Sequence, residues 1–193
     1  MYYTNEELEE RMKMLGMNNI PQNYWIRGIR SGDDTPDRFD DVIQLMKGKE
    51  LILETTGTTN PGVSILQGGF KKYKQKGAAI LGADKFYSNV WTFGKHLGKQ
   101  EALLQRGAKV CIFRDGNLNR LSEEVGDPSW EYAGINFHCD QHNLNAADKQ
   151  SNKVGGWSAG CQVCNNLEDY KKIIEACKNQ KLVSYCLLNE FSI

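Results

Sequence analysis

The chain reads as a mainly β protein with a few peripheral helices. From Pro21 onward it breaks into short runs of β-branched, aromatic and other apolar residues, separated by Gly, Asp and Asn, which is the punctuation of strands and turns. Only two segments show an apolar repeat of helical period. The 193 residues contain no repeat, low-complexity tract or Pro/Ser-rich linker, so one well-packed domain accounts for the length.

The first helical segment is Thr4 to Gly16. Thr4 and Glu7 are spaced as a capping box, Leu8, Met12 and Leu15 share one face, and Gly16 suits the stop. It forms an N-terminal helix within residues 1–20, docked on a domain spanning 21–193. Candidate strands are Tyr24 to Ile29, Phe39 to Met46, Leu51 to Thr56, Gly62 to Leu66, Ala78 to Leu81, Lys109 to Phe113, Gly134 to His138 and Leu182 to Leu188. Lys47-Gly48-Lys49 reads as a hairpin turn and Asp115-Gly116-Asn117 as a turn after a strand. A second helix is predicted from about Leu167 to Lys178, started by Asn165 or Asn166, with Tyr170, Ile173, Ile174 and Cys177 on one side. Gln67 to Gly77 and Asn143 to Gly156 lack periodicity and are long enough to be functional loops.

Composition narrows the function. Lys plus Arg and Asp plus Glu are 24 each, giving no net charge. The basic residues are scattered, so the chain lacks the electrostatic footprint of a nucleic-acid binder. No apolar run is long enough to span a bilayer, and the N-terminus lacks the charged start and apolar stretch of a secretory signal. Six cysteines in a chain this size are read mostly as free thiols; Cys111 and Cys186, inside apolar runs, behave as small buried hydrophobes.

Cys161 is different. It closes the small-residue run Gly155-Gly156-Trp157-Ser158-Ala159-Gly160-Cys161, and His138 ends the apolar stretch Ala133-Gly134-Ile135-Asn136-Phe137 upstream. An unperturbed thiol, pKa about 8.5, is mostly protonated at neutral pH, so a nucleophilic cysteine needs a neighbour able to take its proton. His138 fills that role on this reading. Ser158, Ala159 and Gly160 form a tight turn whose main-chain N–H groups, with that of Cys161, face a developing oxyanion; Ser158 fixes the turn.

A histidine followed, after a loop, by Ser158-Ala159-Gly160-Cys161 resembles the signature of the L,D-transpeptidase catalytic domain family. The upstream segment Leu53-Glu54-Thr55-Thr56-Gly57-Thr58-Thr59-Asn60-Pro61-Gly62 is similar to the family's Ser-Thr-Gly and Thr-Pro-x-Gly hairpin. The resemblance covers about Leu51 to Val163. It implies a curved β-sheet or sandwich with the site at one end, and a cofactor-free reaction on peptidoglycan stem peptides. In that reaction a cysteine attacks the carbonyl of diaminopimelate preceding D-alanine, D-alanine leaves, and the thioester passes to an amine or to water. Carried over, Cys161 is the nucleophile and His138 the general acid/base, oriented by the backbone carbonyl of Cys139, while Gly160 and Cys161 donate to the oxyanion. Val163 stands where family members commonly have Arg, leaving Arg114 or Arg120 as substitutes for carboxylate recognition. Tyr87, Trp91, His96 and Trp157 are further candidates to line the cleft. The place of action implied is the bacterial cell wall, reached by export or by release, as for a phage-encoded lysin.

The competing reading is metal. Cys139-Asp140-Gln141-His142 and Cys161-Gln162-Val163-Cys164 are two ligand pairs at two-residue gaps, a spacing that suits a structural zinc held by Cys139, His142, Cys161 and Cys164 in a structural or wall-binding module. A wall-binding module that keeps the fold without turnover is the third reading.

Overall fold

The computed structural model describes residues 3–33, 35–69, 75–147 and 149–191. Strands hold 37% of the described residues and helices 15%, so the mainly β class stands. In place of an open curved sheet or sandwich, eight strands close into a barrel, and three more form a small separate sheet.

The barrel is assembled from two antiparallel units. The first is the meander β1 (Tyr24–Arg30), β2 (Asp41–Lys47) and β3 (Glu50–Thr58). The second is the hairpin β5 (Lys85–His96) and β6 (Gln100–Gln105). Neither unit closes alone. On one side β11 (Val183–Asn189) fits between them, parallel to β1 and antiparallel to β5. On the other, the three-residue strands β9 (Phe137–Cys139) and β10 (Gln162–Cys164) bridge β6 to β3. Closure removes exposed strand edges from the large sheet. The small sheet, β4 (Ala78–Leu81), β7 (Val110–Asp115) and β8 (Ser129–Glu131), lies where β1 ends and β10 begins. Arg30 at the end of β1 donates to the Leu81 carbonyl at 2.9 Å.

Helices complete two layers of core. α1 (Asn5–Met14) carries the predicted capping box of Thr4 and Glu7. It lies on the outer barrel wall, where Leu8 and Met12 join Trp25, Ile29, Met46, Cys186 and Leu188. α2 (Val63–Leu66) is one helical turn in place of the strand expected over Gly62 to Leu66. That turn places the adjacent Ile65 and Leu66 on one side, against Ala78 and Ile80, which an alternating strand cannot do. α3 (Leu167–Cys177) is capped by Asn166, whose side chain accepts from the Asp169 N–H. It is not peripheral: Leu167, Tyr170, Ile173, Ile174 and Cys177 enter the same core as the inward-facing barrel residues.

The longest strand, β5, and its partner β6 are absent from the sequence expectations. β5 is interrupted by Asn89, at φ 54°, and by Gly94, both of which read locally as turn residues. β6 is Gln-Glu-Ala-Leu-Leu-Gln, a helix-favouring composition, and forms a strand because it pairs with β5 and buries Ala102 and Leu103.

Candidate functional site

β9 and β10 run parallel with Phe137 opposite Gln162, His138 opposite Val163 and Cys139 opposite Cys164. Because successive side chains alternate faces, Phe137, Cys139 and Cys164 enter the barrel core, while His138 and Val163 project from the outer wall. A hydrogen bond from the Gln162 N–H to the Asn136 carbonyl, 2.8 Å, carries the ladder one step further. Asn136 and Cys161 therefore share the outer face with His138. Cys161 and His138 stand on neighbouring segments, one diagonal step apart on that face, and no hydrogen bond joins the sulfur to the imidazole.

His138 is 1% exposed. Its Nδ1 lies 2.9 Å from the Cys139 carbonyl, and a ring nitrogen facing a carbonyl carries the proton, which leaves Nε2 as the acceptor. That carbonyl is itself held: Gln100 donates to it through Nε2 at 3.2 Å and accepts from the Cys139 N–H at 3.0 Å. Nε2 of His138 is buried with no hydrogen-bond partner among the described residues. Burial, then the neighbouring His96, push the ring down to about 3, against the favourable backbone contacts of Cys139 and Trp157. The resting imidazole is neutral.

Of the six cysteines, five are buried and Cys161 alone retains appreciable surface. Its thiol lies 3.4 Å from the Gly134 carbonyl. Burial pushes it up to about 11, opposed by the backbone of Asn136. At rest the two groups are therefore a neutral thiol and a neutral imidazole rather than a thiolate and an imidazolium.

The turn before Cys161 is built by Ser158. Its hydroxyl donates to the Cys161 carbonyl at 2.8 Å and accepts from the Gly160 N–H at 3.1 Å. This corrects one expectation: with its N–H taken by Ser158, Gly160 is not a free oxyanion donor, whereas the N–H groups of Ala159 and Cys161 have no acceptor among the described residues. Gly160 serves the turn instead. Its φ is +121°, and a Cβ there would stand 2.2 Å from the Ala79 carbonyl, so β4 leaves no room for a side chain. The upstream hairpin segment meets this turn: Thr58 pairs with Val163 and Gly57 with Cys164, and the Gly62 N–H donates to the Ser158 carbonyl at 2.9 Å. The two sequence motifs are thus adjacent in space.

The other candidates separate. Tyr87 is buried in the core with its hydroxyl on the Gly82 carbonyl at 2.6 Å, and Trp91 is fully buried with Nε1 on the Ile135 carbonyl at 2.7 Å. Both are corrected from cleft to core; an indole or phenol ring filling the barrel removes far more apolar surface from water than one lining a cleft. Arg114, paired in β7 with Ala79, makes a bidentate ion pair with Glu131, 2.6 and 3.1 Å. Trp157 is half-buried and edge-on to His142 at 5.0 Å, and His96 stacks on His138 at 4.2 Å and 12°. All three histidines of the chain lie in this one cluster.

The zinc set does not assemble. Cys139 and Cys164 face the core, where Cys139 Sγ contacts Asp140 Oδ1 at 3.4 Å and Cys164 Sγ contacts the Asn166 carbonyl at 3.4 Å, while Cys161 faces outward. Among the described residues no group of three or more His, Cys, Asp or Glu has the geometry to hold a metal.

The described residues of Asn143 to Gly156 are tied to the body near Ser151 and near Gly155. Ser151 N–H donates to Asp140 at 2.7 Å and Gly155 N–H to Asp37 at 2.7 Å. Of Gln67 to Gly77, residues 70–74 lie outside the described residues. A polar cavity of about 370 Å³, lined by Arg30, Asp40, Asn60, Arg120 and Glu124 among others, contains neither Cys161 nor His138. Sequence reasoning missed Gln100, Gln105 and Asn136. Asn136 carried a signal, two residues before His138 in an extended run; the two glutamines carried none.

No family model, curated protein or solved structure matches the chain. Among the described residues no helix is long and apolar enough to cross a membrane.

Proposed function

We propose that the chain is a cysteine acyltransferase or peptidase of the L,D-transpeptidase kind, acting on peptidoglycan stem peptides through a Cys161 thioester. The observation that carries this reading is the parallel register of β9 and β10. It puts the one surface-accessible thiol and a histidine with an unpartnered, proton-accepting Nε2 on the same face. The quoted motifs around Thr58 and Ser158, in contact through Gly62, support the choice of substrate class.

The chemistry follows from the resting state. Sγ attacks the carbonyl carbon before the terminal D-alanine as its proton passes to Nε2 of His138, so charge develops only as the bond forms. The N–H of Cys161 faces the oxygen that gains charge, and loss of such a donor costs about 3 kcal/mol in the barrier. Collapse breaks the C–N bond, His138 returns the proton to the departing amine, and the thioester remains. An amine from a second stem or a water then attacks the thioester, giving a crosslink or a trimmed stem, and restores the thiol.

Mass spectrometry of the protein with purified tetrapeptide stems tests this. Loss of D-alanine with a mass increment on Cys161, absent in Cys161→Ala and strongly reduced in His138→Ala, is the expected result; unchanged stems with reduced Cys161 would sink the reading. Alkylation supplies a substrate-free check. A neutral thiol reacts slowly near neutral pH and gains reactivity steadily as pH rises toward about 11, whereas a reactivity plateau extending to acid would mean a preformed ion pair and contradict the neutral resting state.

A further inference from the structure

The cluster beside Cys161 contains a histidine that the acyl-transfer chemistry above leaves unused. His96, at the end of β5, stacks almost flat on His138, and its Nδ1 lies 3.1 Å from Nδ2 of Asn136. The orientation of the Asn136 amide is fixed independently, because its Oδ1 accepts from the Gln105 N–H at 2.8 Å. An amide oxygen committed to a backbone donor turns the NH₂ toward His96. Nδ1 of His96 must then be an acceptor, and the ring's proton sits on Nε2.

Gln105 anchors the same segment a second way. Its Oε1 accepts from the N–H groups of Gly134 and Ile135 at 2.8 and 2.9 Å, and its Nε2 donates to the carbonyls of Ala108 and Glu131 at 3.1 and 3.0 Å. The lock on Asn136 is thus part of a satisfied, partly buried network rather than a single contact.

We propose that His96 is a positioning residue for His138: held as a neutral, Nε2–H ring by Asn136 and Gln105, it fixes the plane of the His138 imidazole by stacking and keeps its Nε2 dry and proton-accepting. This builds on the reading of His138 as the group that takes the thiol proton. The arrangement stands where many nucleophile–base pairs use a carboxylate. Here a backbone carbonyl holds one side of the base, and an uncharged ring covers its face.

Among the described residues, the groups that bear on His138 are few. From β5 it faces His96; from the loop after β9, His142; from the turn before β10, the backbone of Trp157. His142 bears weakly on both other rings and is itself influenced by Lys99. Asp140, just past the end of β9, accepts from the Ser151 N–H and contacts Cys139 Sγ. Burial is the first cause that holds His138 neutral, and His96, stacked on that ring at 4.2 Å, supplies part of the cover, so taking away His96 relaxes it.

Imidazole nitrogen NMR of the intact ¹⁵N-labelled chain tests this without substrate. In the wild type His96 should show the Nε2–H tautomer and His138 the Nδ1–H tautomer. In His96→Ala the His138 titration midpoint should rise by a unit or more and its tautomer signal should average; in His96→Phe, which keeps a stacked ring, the rise should be smaller. An Nδ1–H tautomer at His96 in the wild type overturns the inference whether or not the variants fold. So does a His138 midpoint and tautomer unchanged in both variants. Because these signals need no acylation, a chain that leaves stem peptides untouched would refute the substrate assignment while still deciding this point.

Discussion

At the residue scale the site is governed by desolvation rather than by ion pairing. His138 and Cys161 are each pushed toward their uncharged forms, down to about 3 and up to about 11 respectively, because burial disfavours their charged forms. This has a consequence for stability. An unfolded histidine takes its proton near about 6.5, whereas folded His138 stays neutral to about 3. Between those values the unfolded chain binds the extra proton, so the folded state loses stability as pH falls through that window and keeps it above. His96 and His142 are lowered too and act in the same direction. His138→Gln, which cannot be protonated, should flatten the fall in Tm between about pH 7 and about pH 4; a slope equal to that of the wild type would show that His138 is not the group responsible. The candidate nucleophile and base were legible from sequence because Cys and His stand out by chemistry. Gln100, Gln105 and Asn136 were not, since an amide declares its role only through the groups it meets.

At the scale of the element, short strands are fixed by neighbours rather than by their own residues. β9 and β10 have three residues each, too few for an alternation pattern to show, yet their register decides which side chains share the outer face. The Ser158–Cys161 turn depends on a glycine for two reasons at once, its φ of +121° and the Ala79 carbonyl in the space a Cβ would need. Gly160→Ala should destabilise the fold by about 2 kcal/mol or more, since strain and a backbone clash add. Urea unfolding measures it, and a midpoint like that of the wild type would mean that β4 can shift away from the turn. The helix termini were readable beforehand because caps are local chemistry: Thr4 with Glu7, and Asn166 with the Asp169 N–H. β6 was not, because its composition favours a helix and only pairing with β5 overrides it.

For the molecule as a whole, the barrel has an inner core and an outer apolar wall, and α1 covers part of that wall. Arg27 shows how completely: it is fully buried between α1 and the barrel, donating to Gln44 at 2.6 Å and Asn5 at 2.8 Å, with burial lowering it to about 10. Leu8→Ala, which empties the centre of this contact, should cost about 2–5 kcal/mol. The loss should appear in one cooperative transition followed by near-UV circular dichroism and tryptophan fluorescence, since Trp25 lies in the same cluster; an early, separate transition would show that α1 detaches independently. The sequence by itself determined the β-rich class and the two capped helices, and singled out a candidate thiol and imidazole, because these rest on composition, local hydrogen bonds and intrinsic reactivity. Only the tertiary structure decided that the sheet closes, that Tyr87 and Trp91 fill the core, that the zinc set is split across two faces, and that three histidines converge. Each of those depends on strand pairing between segments far apart in the chain, and a one-residue change of register would exchange every inward side chain for an outward one.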